Sequence, residues 1–256
     1  MTDDLSGKGD LLAVLRLLWG KPLPGKRGPR PKLVLADIVS AAIALADAEG
    51  LSALTTRRIA DELGISPMSL YTYVPGKDEL LDLMLDAIHG ELRAPRGKTW
   101  RAKLKDVARQ NWELAARHPW MLELTTHRPV LGPNVLGKYD RELSALHGLG
   151  LSELEMDRAL SLVLDYVSGA VRGAARERWV KQRTGKSDAE WWDEVRPFLE
   201  QVLRREGARY PVASQVGSVV GQEYGAVHDP AGAFAFGLER VLDGLASFIE
   251  QRTGRR

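Results

Sequence analysis

The chain has 256 residues, and its 36 Lys+Arg against 34 Asp+Glu leave a formal net charge of only +2. A global basic field drawing the protein to nucleic acid is thereby excluded, so any DNA contact must come from a local patch. With no cysteine at all, disulfide frameworks, thiolate zinc sites and cysteine nucleophiles are also excluded.

In chain order, residues 10–19 read as a short amphipathic helix. Its apolar run contains Arg16 and follows Asp3, Asp4 and Asp10, so it does not read as a signal peptide. A Pro/Gly-rich segment from Pro22 to Pro31 follows, and its prolines forbid a helix. Lys21, Lys26, Arg27, Arg30 and Lys32 lie within or beside it without an intervening acid, a basic arm that reads either as a contact to phosphate or a groove or as a solubilising tail. The first regular helix is expected over Leu35–Ala48, with Ile38, Ala42 and Leu45 on its apolar face and Gly50 as its stop.

The most informative stretch is TTRRIADELGISPMSL, from Thr55 to Leu70. Ile59, Ala60, Leu63, Ile65 and Leu70 would lock two short helices together around Gly64. Ser66 suits the cap of the second helix and Pro67 its first position. That helix is expected to expose Pro67, Met68, Ser69, Tyr71, Thr72 and Tyr73. A helix of this kind can enter a major groove, so the pattern is a helix-turn-helix.

Beyond it the periodicity stays helical. Helices are expected over Lys77–Leu92, Thr99–His118, Trp120–Thr126 and Pro133–Leu146. Ser152 with Glu155 and Ser187 with Glu190 form capping boxes, opening helices to about Lys181 and Arg205. Residues 207–228, rich in glycine, read as a flexible loop, and Asp229-Pro230 opens a last helix to about Gln251. No stretch approaches the roughly 20 apolar residues of a membrane span. The five histidines show no metal-binding spacing, and the serine of GSVVG at 217–221 is misplaced for a nucleophile elbow, so an enzyme is not expected.

Three segments, IVSAAIALADAEG, LTTRRIADELGIS and LYTYVPGKDELL, closely resemble the N-terminal domain of the tetracycline-repressor family of bacterial regulators. The remainder, with ARHPWM at 116–121, is similar more loosely to the ligand domain of that family. The resemblance implies an all-α protein: an N-terminal extension and arm (1–32), a three-helix DNA-binding domain (33–80), and a larger helical ligand-binding and dimerisation domain (81–256). It implies phosphate or groove contacts for Thr56, Arg57, Tyr71 and Lys77, and base-facing or groove-facing positions for Pro67, Met68, Ser69, Thr72 and Tyr73; the basic run separately offers Lys26, Arg27 and Arg30 as arm contacts. Pro67 and Met68 depart from a polar pattern, so readout there is apolar or indirect.

The implied partners are double-stranded operator DNA, a small-molecule effector and a second copy of the chain, with no membrane, in a cytoplasmic setting; no cofactor or metal is expected. Candidate effector contacts are the polar and aromatic groups within apolar helices: Trp112, Glu123, Thr126, His127, Arg128, Tyr139, Asp140, Asp165 and Tyr166. Small residues Ser168, Gly169, Ala170, Gly173, Ala174 and Ala175, and Ala233, Ala235, Gly237, Gly244 and Ala246, mark the helices implied to pair in a dimer. The alternative is a DNA-binding regulator without a small-molecule ligand, controlled by a protein partner or by its own concentration.

Overall fold

The computed structural model describes residues 10–20, 33–124 and 129–253, and among these residues it contains helices and turns but no strand. Two compact units divide the chain, one comprising residues 1–164 with 247–256 and the other residues 165–246.

The first unit opens with α1 (Leu11–Trp19), whose first turn is capped by Asp10 Oδ1 accepting from the amides of Leu12 and Ala13 at 3.0 and 3.1 Å. The head comprises α2 (Leu35–Glu49), α3 (Thr56–Leu63) and α4 (Pro67–Tyr71). Then come α5 (Lys77–His89), α6 (Trp100–Arg117), a 3-10 turn Pro119–Leu122 and α7 (Pro133–Leu143). α8 (Glu153–Thr184) and α11 (Pro230–Thr253) each run from one unit into the other. The second unit adds α9 (Asp188–Glu206) and α10 (Pro211–Tyr224).

Why these residues make these helices is mostly a matter of caps and stripes. Thr55, Ser66, Thr99 and Ser187 each accept a backbone N–H of the first turn through the side chain, replacing a partner the helix cannot supply. α5 is buried almost all round, with Leu81, Met84 and Ile88 wholly enclosed. It runs through one continuous core that joins Ile38 and Ala42 of α2, Ile59 of α3 and Leu70 of α4 to Leu114 and Trp120 further along.

Three expectations are corrected. Residues 207–228 are not a loop: α10 occupies most of them, with Pro211 at its first position and Gly225 in the left-handed region closing it. Val212, Val216 and Val219 recur at helical spacing but stay exposed, and the buried position of the helix is Gly221, seated against Trp192. Trp120 begins no regular helix either; Pro119–Leu122 is a single 3-10 turn, and the end of the expected helix, at 125–126, lies outside the described residues. The helix expected to reach Leu146 ends at Leu143, after which the chain tightens into turns.

Candidate DNA-binding head and effector cavity

The two helices of the helix-turn-helix are joined by backbone geometry that only a glycine takes readily. Gly64 sits at φ 64°, ψ 33°, and the next amide, of Ile65, donates to the Ala60 carbonyl at 3.0 Å. Ile59, Ala60 and Leu70 are buried, while Leu63 and Ile65 pack against the core from its edge. Ser66 Oγ accepts from the Ser69 amide at 3.2 Å and lies 2.8 Å from Ser69 Oγ. Thr72 Oγ1 donates to the Ser69 carbonyl at 2.7 Å, so both hydroxyls are held in place against the short helix.

The outer surface of α4 is set by the same geometry. Met68 is 75% exposed and Tyr71 50%, and Pro67 and Thr72 are also exposed. Ser69 is half-buried, and Tyr73, expected on the outside, is half-buried against the core. Thr56, at the start of α3, lies 3.3 Å from the Tyr71 hydroxyl, bringing two of the expected phosphate-contacting residues of separate helices together. Arg57 and Lys77 are exposed, Lys77 opening α5. Arg58 pairs instead with Glu49 of α2. Lys26, Arg27 and Arg30 of the arm lie outside the described residues.

Polar groups tie the head to the end of α6, and α5 to α7. Asp47, near the end of α2, lies 2.8 Å from His118 Nδ1 and accepts from Trp120 Nε1 at 2.8 Å. On its other side His118 Nε2 lies 3.1 Å from Glu91. Asp86, wholly inside α5, caps the start of α7: its carboxylate accepts the amides of Asn134 and Val135 at 3.1 and 2.9 Å and the Asn134 side-chain amide at 3.0 Å. Burial raises the Asp86 pKa above the ordinary carboxylate value, and these three hydrogen bonds act against it. Gly132 is required there, because a Cβ would lie 2.1 Å from Asp86 Oδ1.

A cavity of about 1190 Å3 opens in the same unit. Its walls are Leu12, Leu15, Arg16 and Trp19 of α1, the Pro129–Leu131 segment, Val135, Leu136 and Tyr139 of α7, and Asp157 and Ser161 of α8. The lining is mainly apolar with a few polar groups, the usual character of a small-molecule site, and the volume is somewhat above the typical range of about 300–1,000 Å3. Tyr139 donates its hydroxyl to Asp157 at 2.8 Å, and that bond pushes the phenol above its ordinary pKa, so it stays a neutral donor.

Among the described candidates for effector contact, Tyr139 lines this cavity and the others do not. Trp112 is half-buried on α6, and Glu123 and Asp140 are exposed. Asp165 is exposed on α8 in the second unit. Tyr166 belongs to that unit too, where its hydroxyl lies 3.0 and 2.9 Å from the carbonyls of Ala233 and Phe234 and its ring stacks on Phe234. Thr126, His127 and Arg128 lie outside the described residues. The apolar wall of α1 was not foreseen from the sequence. Its signal was the stripe Leu12, Leu15 and Trp19, but nothing local distinguishes a cavity wall from a core face.

A helix-turn-helix turned on a glycine and tied by the Asp47 carboxylate to His118 and Trp120 of the helical body has the layout of a DNA-binding transcriptional regulator. Residues 38–84 match "Bacterial regulatory proteins, tetR family" and residues 94–249 match "Tetracyclin repressor-like, C-terminal domain". The HTH-type transcriptional repressor DrrR1 of Streptomyces coeruleorubidus is 42% identical over 254 residues, covering 98% of this chain and 91% of the relative. An HTH-type transcriptional regulator of Saccharopolyspora erythraea is 34% identical over 196 residues, covering 76% of this chain and 78% of its own. Among solved structures, the Streptomyces coelicolor TetR family protein ActR in complex with actinorhodin superposes with a TM-score of 0.69 at 25% identity, covering 84% of this chain and 96% of that one. The chain belongs to the tetracycline-repressor family of transcriptional regulators. It is a DNA-binding regulator and not an enzyme, and no described helix is long and apolar enough to cross a membrane.

Proposed function

We propose that this regulator is a cytoplasmic repressor that binds a palindromic operator as a homodimer and releases it when a small molecule enters the cavity walled by α1, α7 and α8. The observation that carries this reading is the pairing of a large, mainly apolar cavity with a capped contact to the helix directly after the head. Val135 lines the cavity, and its amide is held by Asp86 of α5 at 2.9 Å. A ligand that prefers one position of α7 therefore has a direct handle on α5, and through α5 on α3 and α4. Couplings of this kind are typically about 1–3 kcal/mol.

The DNA contacts are assigned to the head at 33–80: Thr56, Arg57, Tyr71 and Lys77 on phosphate or groove edges, and Pro67, Met68, Ser69, Thr72 and Tyr73 toward the bases, with Lys26, Arg27 and Arg30 adding charge from the arm. Met68, exposed and apolar, suits a thymine methyl. Pairing of two copies is supported by α8 and α11: a Cβ added at Gly169, Gly173 or Gly244 would meet nothing within 4 Å, which leaves room for a second backbone to approach. Two heads related by a two-fold axis would then read half-sites about 34 Å apart. Effector control is also supported by ActR, whose structures include complexes with actinorhodin and (S)-DNPA.

Selection of bound fragments from genomic DNA, with footprinting of the winners, tests the reading. A palindrome with half-sites one helical turn apart is the expected result. Recovery of only asymmetric single half-sites would remove the dimer, and no enrichment over random DNA at moderate salt would remove apo-state operator binding.

A further inference from the structure

We infer that α1, the helix preceding the DNA-binding head, is a working wall of the effector site, and that Arg16 on it receives an anionic or acceptor oxygen of an otherwise apolar, ring-bearing ligand. The inference rests on the cavity being the effector site. Its own support is the division of labour on the nine residues of α1. Val14, Leu17 and Leu18 form one stripe, with Val14 2% exposed and the two leucines packed on the main core. Leu12, Leu15, Arg16 and Trp19 form the other stripe, at i, i+3, i+4 and i+7, and all four line the cavity.

The helix is fixed at both ends by contacts distant in sequence. The Asp10 amide donates to Glu79 of α5 at 3.0 Å, and Trp19 Nε1 donates to the Leu131 carbonyl at 2.7 Å. A helix held only for solubility needs neither bond. The chemistry of the lining then limits the ligand. Leucine, valine, proline and tryptophan supply most of the wall, which favours fused or linked rings. Among the described lining residues the one carboxylate, Asp157, already accepts from Tyr139. Among the described residues Arg16 has no ion-pair partner, so its guanidinium can bond an incoming oxygen without breaking an ion pair with any of them.

Two dyes that differ by one charge separate the contributions: 1-anilinonaphthalene-8-sulfonate, and N-phenyl-1-naphthylamine, which lacks the sulfonate. Each is titrated by fluorescence into the full chain and into Arg16→Gln, Leu15→Glu and Leu136→Glu variants, with operator binding in the absence of dye as the check on folding. Arg16→Gln is expected to weaken the sulfonate dye by about tenfold, the size of a lost bond to a charged group, and to leave the neutral dye unchanged. Leu15→Glu and Leu136→Glu are expected to weaken both dyes. If Leu136→Glu loses both dyes while Arg16→Gln and Leu15→Glu bind like the parent, the cavity stands and the role of α1 falls. Dye binding that survives all three substitutions, or no binding to the parent, overturns the cavity as the site and the α1 proposal with it.

Discussion

Gly237 illustrates how much a single absent methyl can decide. A Cβ at this position would lie 2.3 Å from the Tyr166 hydroxyl, so the glycine lets α11 reach the ring that bonds its own first turn. Gly237→Ala is expected to cost about 1–3 kcal/mol by overpacking, read from urea denaturation. Adding Tyr166→Phe should recover part of that loss, because the nearest clashing atom is gone, whereas strictly additive costs would show that the two residues do not meet. His89 gives a pH-dependent counterpart. Burial, helped by the nearby charge of Lys138, lowers its pKa from 6.5 to about 4, and its Nδ1 lies 2.6 Å from the Leu85 carbonyl. The folded state therefore keeps His89 neutral in a range where the unfolded chain takes up a proton. Stability is expected to fall as pH drops from 6.5 toward about 4. The loss approaches about 2 kcal/mol between pH 7 and pH 5. Denaturation of His89→Gln at the two pH values should show that part of the loss removed; an unchanged difference would place the pH sensitivity elsewhere.

At the scale of elements, the contact between α5 and α7 is the one whose removal should separate folding from signalling. Asp86→Ala removes three hydrogen bonds to a carboxylate and leaves the start of α7 uncapped. The expected cost is about 2–3 kcal/mol of stability. Operator binding should persist while release by effector weakens, measured as the shift in operator affinity between free and effector-saturated protein; an intact shift would mean that α7 is not the handle. Elements also show what a sequence can carry. The helix-turn-helix was legible because its signals are local: Gly64, Ser66 and Pro67 each act within four residues of themselves. α10 was not legible. Gly217 and Gly221 argue against a helix by propensity, and the reason for Gly221 lies far away in sequence, where Trp192 packs so closely that a Cβ would sit 2.3 Å from its ring. The cavity was legible only at Tyr139. Polar groups in apolar helices draw attention, whereas most of the actual lining is leucine, valine and tryptophan, with the same local signature as a core.

For the molecule as a whole, the net charge of +2 means that DNA affinity must be concentrated in the head and its arm. Neutralising Lys26, Arg27 and Arg30 together should lower affinity across all sequences and reduce the slope of log affinity against log salt by as much as about 2.7, at about 0.9 per lost phosphate contact. An unchanged slope would leave the arm as a solubilising segment. The substitutions are preferable to truncating residues 1–32, since truncation would also strip α1 from the cavity and confound a DNA effect with an effector effect.

That placement of α1 has a consequence for anyone rebuilding this regulator. In the order of the chain, α1 comes before the head, yet the amide of its cap residue Asp10 bonds Glu79 and the Trp19 side chain bonds the Leu131 carbonyl, beyond the head's two motif helices. A chimera that exchanges everything upstream of residue 80 for another family member's head would import a foreign piece of the binding chamber along with the new DNA specificity. Grafting a new specificity here takes two splices, one on either side of residues 33–80, with the native α1 left in place and Glu79 retained as its anchor. A sensor built with a single splice would recognise its new operator and answer poorly to its old ligand.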